Sequence, residues 1–364
     1  MVYPGRSHVS LATYVTNTTR NMPPVVQKAL FLTEKFGTIS VQETQVHKPG
    51  PGEVLVKVHS TSLNPIDWKV QRMGLLVTEF PAVLGTDVAG EVVEVGEGVV
   101  GFEVGDRVFS HGVFENRHAS FQQYTITWAA STAKIPPNIT YDEAAAIPLA
   151  LTTSTVGMYN VSPYGMGLSV PSSDETTGIY AGKPFVVIGG SSSVGQMVIQ
   201  LARISGFSPI ITTASLKHTE HLKSLGAAHI LDRNLSSAEL LSQFREISSE
   251  IQHIYDCVSY PETQQLAWDI LSPGGQLAVV LPPIVESSPG KTVIHVWGNS
   301  RVPENRKLVA EFYHDTIYGL LERGLIKANN VEILPNGLAG IAEGFERMEK
   351  DQISALKLIA HPQE

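Results

Sequence analysis

Phe185-Val-Val-Ile-Gly-Gly-Ser-Ser-Ser-Val-Gly195 decides the fold. An apolar run opens into small residues, and Val194, Met197, Val198, Leu201 and Ala202 then recur at helical spacing. A strand entering a helix through glycines lets the backbone approach a pyrophosphate, whose charge is stabilised by free N–H groups at the helix start. Gly189, Gly190, Ser191, Ser192, Ser193, Val194 and Gly195 are therefore expected to contact a dinucleotide. Ser192 stands where the G-x-G-x-x-G pattern usually has glycine.

Downstream, strand and helix signals alternate. Ile210 to Thr213, Ile230 to Asp232, Ile251 to Val258, Gln276 to Leu281 and Thr292 to Trp297 read as strands. Helices are expected at Val194 to Arg203, Glu220 to Leu225 and Glu262 to Leu271. Such alternation implies α/β architecture, a doubly wound parallel sheet of Rossmann type. An NAD enzyme usually has an acid at the end of the second strand. Here the strand gives Thr213-Ala-Ser-Leu-Lys-His218, with no acid before Glu220. Ser215 can donate a hydrogen bond and Lys217 can supply positive charge to a 2′-phosphate, so NADPH is the expected cofactor. The alternative for Lys217 is a solvated first-turn lysine of the next helix.

Upstream the texture differs. Lys28 to Leu32, Glu53 to His59, Ala89 to Val95 and Asp106 to Phe109 are short β-type runs separated by turn signals such as Pro49-Gly-Pro-Gly52. They predict a β-rich, partly closed barrel. Glu143 to Tyr159 suits helices, and a loop rich in Ser, Gly and Pro follows from Val161 to Gly182. After Val302, a helix from Asn305 to Glu322 and a β-like run at Ala355 to Ala360 are too little for a core and should rejoin the N-terminal half. The expected division is a tail at 1–24, the barrel's first part at 25–155, the cofactor domain at 156–301 and the barrel's second part at 302–364.

With 364 residues, 43% of them hydrophobic, the chain can fill two cores. A net charge of −9 without basic runs argues against nucleic-acid and anionic-membrane partners. No apolar run reaches the roughly 18 to 20 residues of a membrane helix, and no secretory h-region is present. A soluble, cytoplasmic protein is expected, with sequons at Asn17, Asn138, Asn160 and Asn234 unused. The first 33 residues hold no acid and carry Arg6, Arg20 and Lys28. They faintly resemble a mitochondrial presequence, although Pro4, Gly5, Pro23 and Pro24 spoil its helix. The single cysteine, Cys257, rules out an intramolecular disulfide and any Cys-rich zinc site.

Together, Gly52-Glu-Val-Leu-Val-Lys-Val-His59, Leu63-Asn-Pro-Ile-Asp-Trp-Lys69, Pro81-Ala-Val-Leu-Gly-Thr-Asp-Val-Ala-Gly90, Glu91-Val-Val-Glu-Val-Gly96, Gly105-Asp-Arg-Val108 and the cofactor loop resemble the medium-chain dehydrogenase/reductase superfamily from Gln27 to Pro362. The resemblance implies a GroES-like substrate domain built from both chain ends, a Rossmann domain between them and a cleft at their junction. Zinc-dependent members bind metal through a Cys and a Gly-His-Glu segment. Here Asn64 stands near the Cys position, Gly85-Thr86-Asp87 replaces Gly-His-Glu and no Cys cluster exists. No metal site is therefore expected, and His111 and His118 read as turn or surface residues rather than ligands.

Among the zinc-free branches, the Asn64 to Lys69 segment, the loop before the cofactor strand and the serine-rich turn most resemble fungal trans-acting enoyl reductases of polyketide pathways; quinone oxidoreductases are the other similar group. The resemblance implies cofactor contacts from Asn64, Ser191 to Val194, Ser215, Lys217, His218 and Leu281. Arg233 follows Asp232 where relatives often have Tyr, and it can pair with phosphate or stack. Hydride transfer to the β-carbon of an unsaturated carbonyl puts charge on its oxygen, where donors lower the barrier. Lys69, Tyr124, Thr152 and Thr153 are the candidates. Gly74-Leu75-Leu76 lacks the Gly-x-Tyr acid of mitochondrial-type enoyl reductases, so solvent protonation is an alternative. The expected substrate is a small or carrier-bound unsaturated carbonyl. Quinone or carbonyl reduction, and a non-catalytic NADPH-binding crystallin-like or scaffold role, stay open. The run Thr292 to Trp297 permits a homodimer through paired sheet edges, while the resemblance to carrier-serving enzymes leans toward a monomer.

Overall fold

The computed structural model describes residues 23–173 and 175–364. The expected tail and its targeting signal lie outside the described residues, apart from Pro23 and Pro24.

Six strands, Phe185–Ile188, Ile210–Ala214, His229–Asp232, His253–Asp256, Gly275–Val279 and Lys291–His295, form one sheet. Numbered along the chain, their spatial order is 3-2-1-4-5-6, and every neighbouring pair is parallel. The first strand shows why both faces are covered. Side chains alternate across a strand, and Phe185 and Val187 pack in the same apolar cluster as Met197, Val198 and Leu201 of helix Ser193–Ser205. Val186 and Ile188 pack in the opposite cluster with Leu240, Phe244, Leu266 and Ile270 of helices Ser237–Ile247 and Pro261–Ile270. A strand buried on both sides needs the unbroken apolar run that the sequence supplies.

The remaining strands form two sheets. Val26–Leu32 lies between Ile39–Gln45 and the short Ala82–Val83. A seven-stranded sheet centres on Glu53–Ser62, which pairs with Asp87–Val95, with Tyr124–Trp128 and, at its far end, with Leu356–Ala360. Ile359 lies opposite Ser62, so the end of the chain completes a sheet begun near its start.

Two features differ from the expected elements. The helix Pro148–Tyr159 runs unbroken through the proposed 155/156 boundary. The single helix expected at Asn305 to Glu322 is instead Pro303–Glu311, a π-helical turn at Phe312–Thr316, and Ile317–Glu322. The wide turn carries Phe312 and Tyr313 into the apolar cluster under Phe185 and Val187. There Tyr313 lies 5.7 Å from Phe109 of the seven-stranded sheet and Phe312 lies 6.1 Å from Tyr159, so this segment packs between that sheet and helix Pro148–Tyr159.

Candidate active site

At the phosphate loop, Gly189 has φ +77°, and a Cβ there would strike the Val258 side chain. A Cβ on Gly190 would strike the Thr212 hydroxyl, and one on Gly195 would strike the Gly189 carbonyl. These glycines are required by close packing as well as by backbone freedom. Ser192 replaces the usual glycine with a cap: its Oγ accepts the Gly195 N–H at 3.0 Å. By helix geometry, the N–H groups of Ser193 and Val194 have no intrahelical acceptor and point out of the helix start. Gln196 Nε2 donates to the Ser191 carbonyl at 3.1 Å, and Gln196 Oε1 lies 2.8 Å from His221 Nε2. Two side chains that the sequence reading missed therefore brace the loop from behind.

The neighbouring edge is basic. Ser215 leads into the tight turn Leu216–His218 after the second strand, and the Arg233 N–H donates to the Ala214 carbonyl at 3.0 Å. Lys217 and Arg233 are exposed, and among the described residues neither has an acidic partner within salt-bridge distance. Burial and then the charges of Lys217, His221 and Arg233 hold the His218 imidazole below its ordinary range. Unpaired cations beside a glycine cradle fit a phosphorylated dinucleotide: the helix start would hold the pyrophosphate and this edge the 2′-phosphate. Half-buried Leu281 lies two residues beyond the strand Gly275–Val279, likewise past the carboxyl ends of the strands but on the other half of the sheet.

Asn64 occupies a different environment. It is 1% exposed and caps helix Pro65–Met73; its Nδ2 donates to Asp87 Oδ2 at 2.8 Å, and its Oδ1 accepts from Lys357 Nζ at 2.6 Å. Asp87 and Lys357 form a fully buried ion pair at 2.6 Å. Burial pushes the Asp87 carboxyl up, but the charge of Lys357 and hydrogen bonds from Lys357, Ser62 and Asn64 outweigh it and hold the group below the ordinary range. For Asp67, whose Oδ2 accepts the Asn64 N–H at 2.7 Å, that bond and the charge of Lys357 do not offset burial and the neighbouring Asp87 charge, and it is raised to about 8.

Asp87 also reaches the helix Pro148–Tyr159. Its Oδ1 accepts the Leu149 N–H at 2.7 Å, at the start of the helix that carries Thr152 and Thr153. Both threonine hydroxyls are engaged within the protein. Thr152 Oγ1 lies 3.0 Å from the Tyr313 hydroxyl, and Thr153 Oγ1 donates to the Leu149 carbonyl at 2.8 Å. The Thr153 carbonyl accepts from Tyr255 at 2.8 Å, while Ser154 Oγ donates to the Val194 carbonyl at 3.3 Å, so this helix connects Asp87 to the phosphate loop. Lys69 stands one turn into helix Pro65–Met73, with Nζ 5.7 Å from the Trp68 ring and its pKa drawn down by burial. Tyr124 makes no side-chain hydrogen bond to this group; its backbone N–H donates to Gln27 Oε1 and it pairs with Lys57 in the sheet.

Two histidine expectations are corrected. His111 and His118 are each 3% exposed, so neither is a surface residue, although His118 does lie in a turn, its N–H donating to the Glu115 carbonyl at 2.7 Å. His111 ends the inward-facing strand Arg107–His111, and His118 stacks on Trp128 at 3.8 Å. Burial, the first cause in both, takes each to about 4, leaving neutral rings.

Residues 50–137 match the family model of the alcohol dehydrogenase GroES-like domain, and residues 193–283 match that of the zinc-binding dehydrogenase. The chain is 31% identical over 315 residues to trans-enoyl reductase himH of Aspergillus japonicus, covering 84% of this chain and 89% of that protein. It is 30% identical over 359 residues to dehydrogenase orsE of Emericella nidulans, covering 91% and 98%. Among solved structures, the apo form of JamJ enoyl reductase superposes with a TM-score of 0.75 at 19% identity, covering 92% of this chain and 99% of that one, a likeness of fold.

Proposed function

The chain belongs to the medium-chain dehydrogenase/reductase superfamily, and from that premise we propose that it is an NADPH-dependent, zinc-independent reductase of activated C=C bonds in enoyl or enone substrates. The observation that carries the cofactor reading is the glycine cradle opening onto unpaired Lys217 and Arg233. The likeness to a trans-enoyl reductase at 31% identity supports the substrate class.

When bound, NADPH supplies the hydride. The chain's own residues do the remainder. Gly189 to Gly195 would hold the pyrophosphate, while Ser215, Lys217, His218 and Arg233 would hold the 2′-phosphate, and Leu281 would contact the cofactor on the other half of the sheet. Lys69 is the donor we assign to the substrate carbonyl, where charge accumulates as the C=C bond is reduced. Because their hydroxyls face protein partners, Thr152 and Thr153 would act through the helix that joins Asp87 to Val194. Asn64 likewise would act by fixing the start of the Lys69 helix. Tyr124 stays a candidate donor from the opposite sheet. Zinc independence is supported by donor chemistry: Asn64 offers an amide already bound on both sides, and Thr86 a neutral hydroxyl, where thiolate and imidazole would be needed.

The deciding experiment is steady-state NADPH oxidation with matched enones, quinones and aldehydes, with and without prior dialysis against a strong chelator. Enone turnover that survives the chelator supports the proposal. Turnover confined to quinones or aldehydes, or lost with a stoichiometric metal, refutes it; no turnover with any acceptor favours a binding or scaffold role. No described helix is long and apolar enough to cross a membrane, and cytoplasmic placement and a monomeric state are part of the same proposal.

A further inference from the structure

His218 is joined to a segment far along the chain: its Nε2 lies 2.7 Å from the hydroxyl of Ser354. Ser354 belongs to the connection from helix Gly337–Glu349 to strand Leu356–Ala360. That connection is unusual, since Asp351 (φ +52°) and Ala355 (φ +57°) both adopt the left-handed conformation without being glycine. It is held at both ends. Glu349 pairs with Arg72 of the Lys69 helix at 3.2 Å, and Lys357 is locked onto Asp87. A short, strained segment fixed on either side holds Ser354 against the basic edge formed by Lys217, His218 and Arg233.

We infer that residues 351–355 are a strap across the 2′-phosphate end of the cofactor site, and that Ser354 is a positioning residue for phosphate selection. The inference rests on the NADPH reading above and extends it. By engaging Nε2, Ser354 fixes the orientation of the His218 ring and leaves Nδ1 for the incoming ligand. The imidazole then stands with Lys217 and Arg233 as a third group at the anion site. Hydrogen bonds to phosphate depend steeply on orientation, so a freely rotating His218 would contribute less. A phosphate held by His218 would in turn hold the strap against the sheet edge through Ser354. The ends of the strap lead to Arg72 and Asp87, so its position bears on the Lys69 helix as well.

Two fragment ligands test this on the full-length protein without turnover: adenosine 2′,5′-bisphosphate and adenosine 5′-monophosphate, which differ only in the 2′-phosphate. Affinities come from calorimetry, and exchange of backbone amides in residues 350–356 from mass spectrometry. Wild type is expected to prefer the 2′,5′-bisphosphate and to show slower exchange of the strap with it than with adenosine 5′-monophosphate. Ser354→Ala should lose roughly 3- to 10-fold of that preference, about the worth of one net hydrogen bond. Ser354→Thr, which keeps the hydroxyl, should regain it. Equal binding of both ligands by wild type overturns the NADPH reading and the strap together. A preference that survives Ser354→Ala unchanged, or a strap exchanging equally with both ligands, overturns the strap alone.

Discussion

Replacing Lys357 by Met removes the cation that, alone among the described residues, lies within salt-bridge distance of the Asp87 carboxylate, which is 0% exposed. Asp87 would keep the donors Ser62, Asn64 and the Leu149 N–H but lose its counter-charge. Breaking one side of a buried pair costs about 3–5 kcal/mol, because the remaining charge stays desolvated. That is a large part of the roughly 5–15 kcal/mol by which domains are stable. Urea unfolding of wild type, Lys357→Met, Asp87→Asn and the double variant closes a thermodynamic cycle. Asn at position 87 retains an acceptor for Leu149, so the double variant should recover at least half of the Lys357→Met loss. The pH dependence has a defined sign. Asp87 titrates below its ordinary value of 3.8 in the folded protein, so its stabilisation is present above that pH and is lost as pH falls through the folded value. The gap between wild type and Lys357→Met should narrow below about pH 4. A Lys357→Met cost under about 1 kcal/mol, or a double variant as unstable as the sum of the singles, would refute the reasoning.

Lys217→Ala should weaken NADPH by about 1–3 kcal/mol and leave NADH nearly unchanged, as read from two calorimetric titrations. Equal losses for both cofactors would place the lysine away from the 2′-phosphate. Asp67 is raised from 3.8 to about 8, so the folded state favours its proton: its contribution is full below pH 4 and fades as pH climbs toward 8. Wild-type stability should therefore fall by up to about 1.4 kcal/mol per pH unit across that window, and Asp67→Asn should remove the slope. A slope unchanged in Asp67→Asn would show that Asp67 is ionised. Lys291–His295 is an outer strand of the parallel sheet; light scattering at micromolar concentration should nonetheless give a mass near 39.4 kDa, and twice that would show the edge is paired.

Local signals in the sequence were sufficient for the parallel sheet. The bounds of Phe185–Ile188 agree with its apolar run, and the helix behind it begins at the serine cluster because Ser192 caps it. What stayed hidden depends on distant partners. Nothing near Lys357 marks it as buried, since Asp87 lies 270 residues earlier. Ser354, Gln196 and His221 are ordinary polar residues until the chain folds around the cofactor edge. Turn signals surround His111 and His118, and His118 does sit in a turn, but only the stacking on Trp128 and the buried strand Arg107–His111 show that both rings are away from the surface. The π-helical turn at Phe312–Thr316 has no sequence signature of its own.

The closure of the barrel by its last strand sets a timetable for synthesis. A ribosome adding about 5–20 residues per second needs roughly 15–55 seconds to travel from Asp87 to Lys357. Throughout that interval Glu53–Ser62 lacks the pairing that Leu356–Ala360 will bring, and Asp87 lacks its cation. The parallel sheet is translated in between and can form first. The nascent N-terminal segment meanwhile presents an unpaired edge to other chains. A chaperone that shields that edge until the final strand emerges would raise the yield of active protein, whereas one acting only on finished chains would come too late for it.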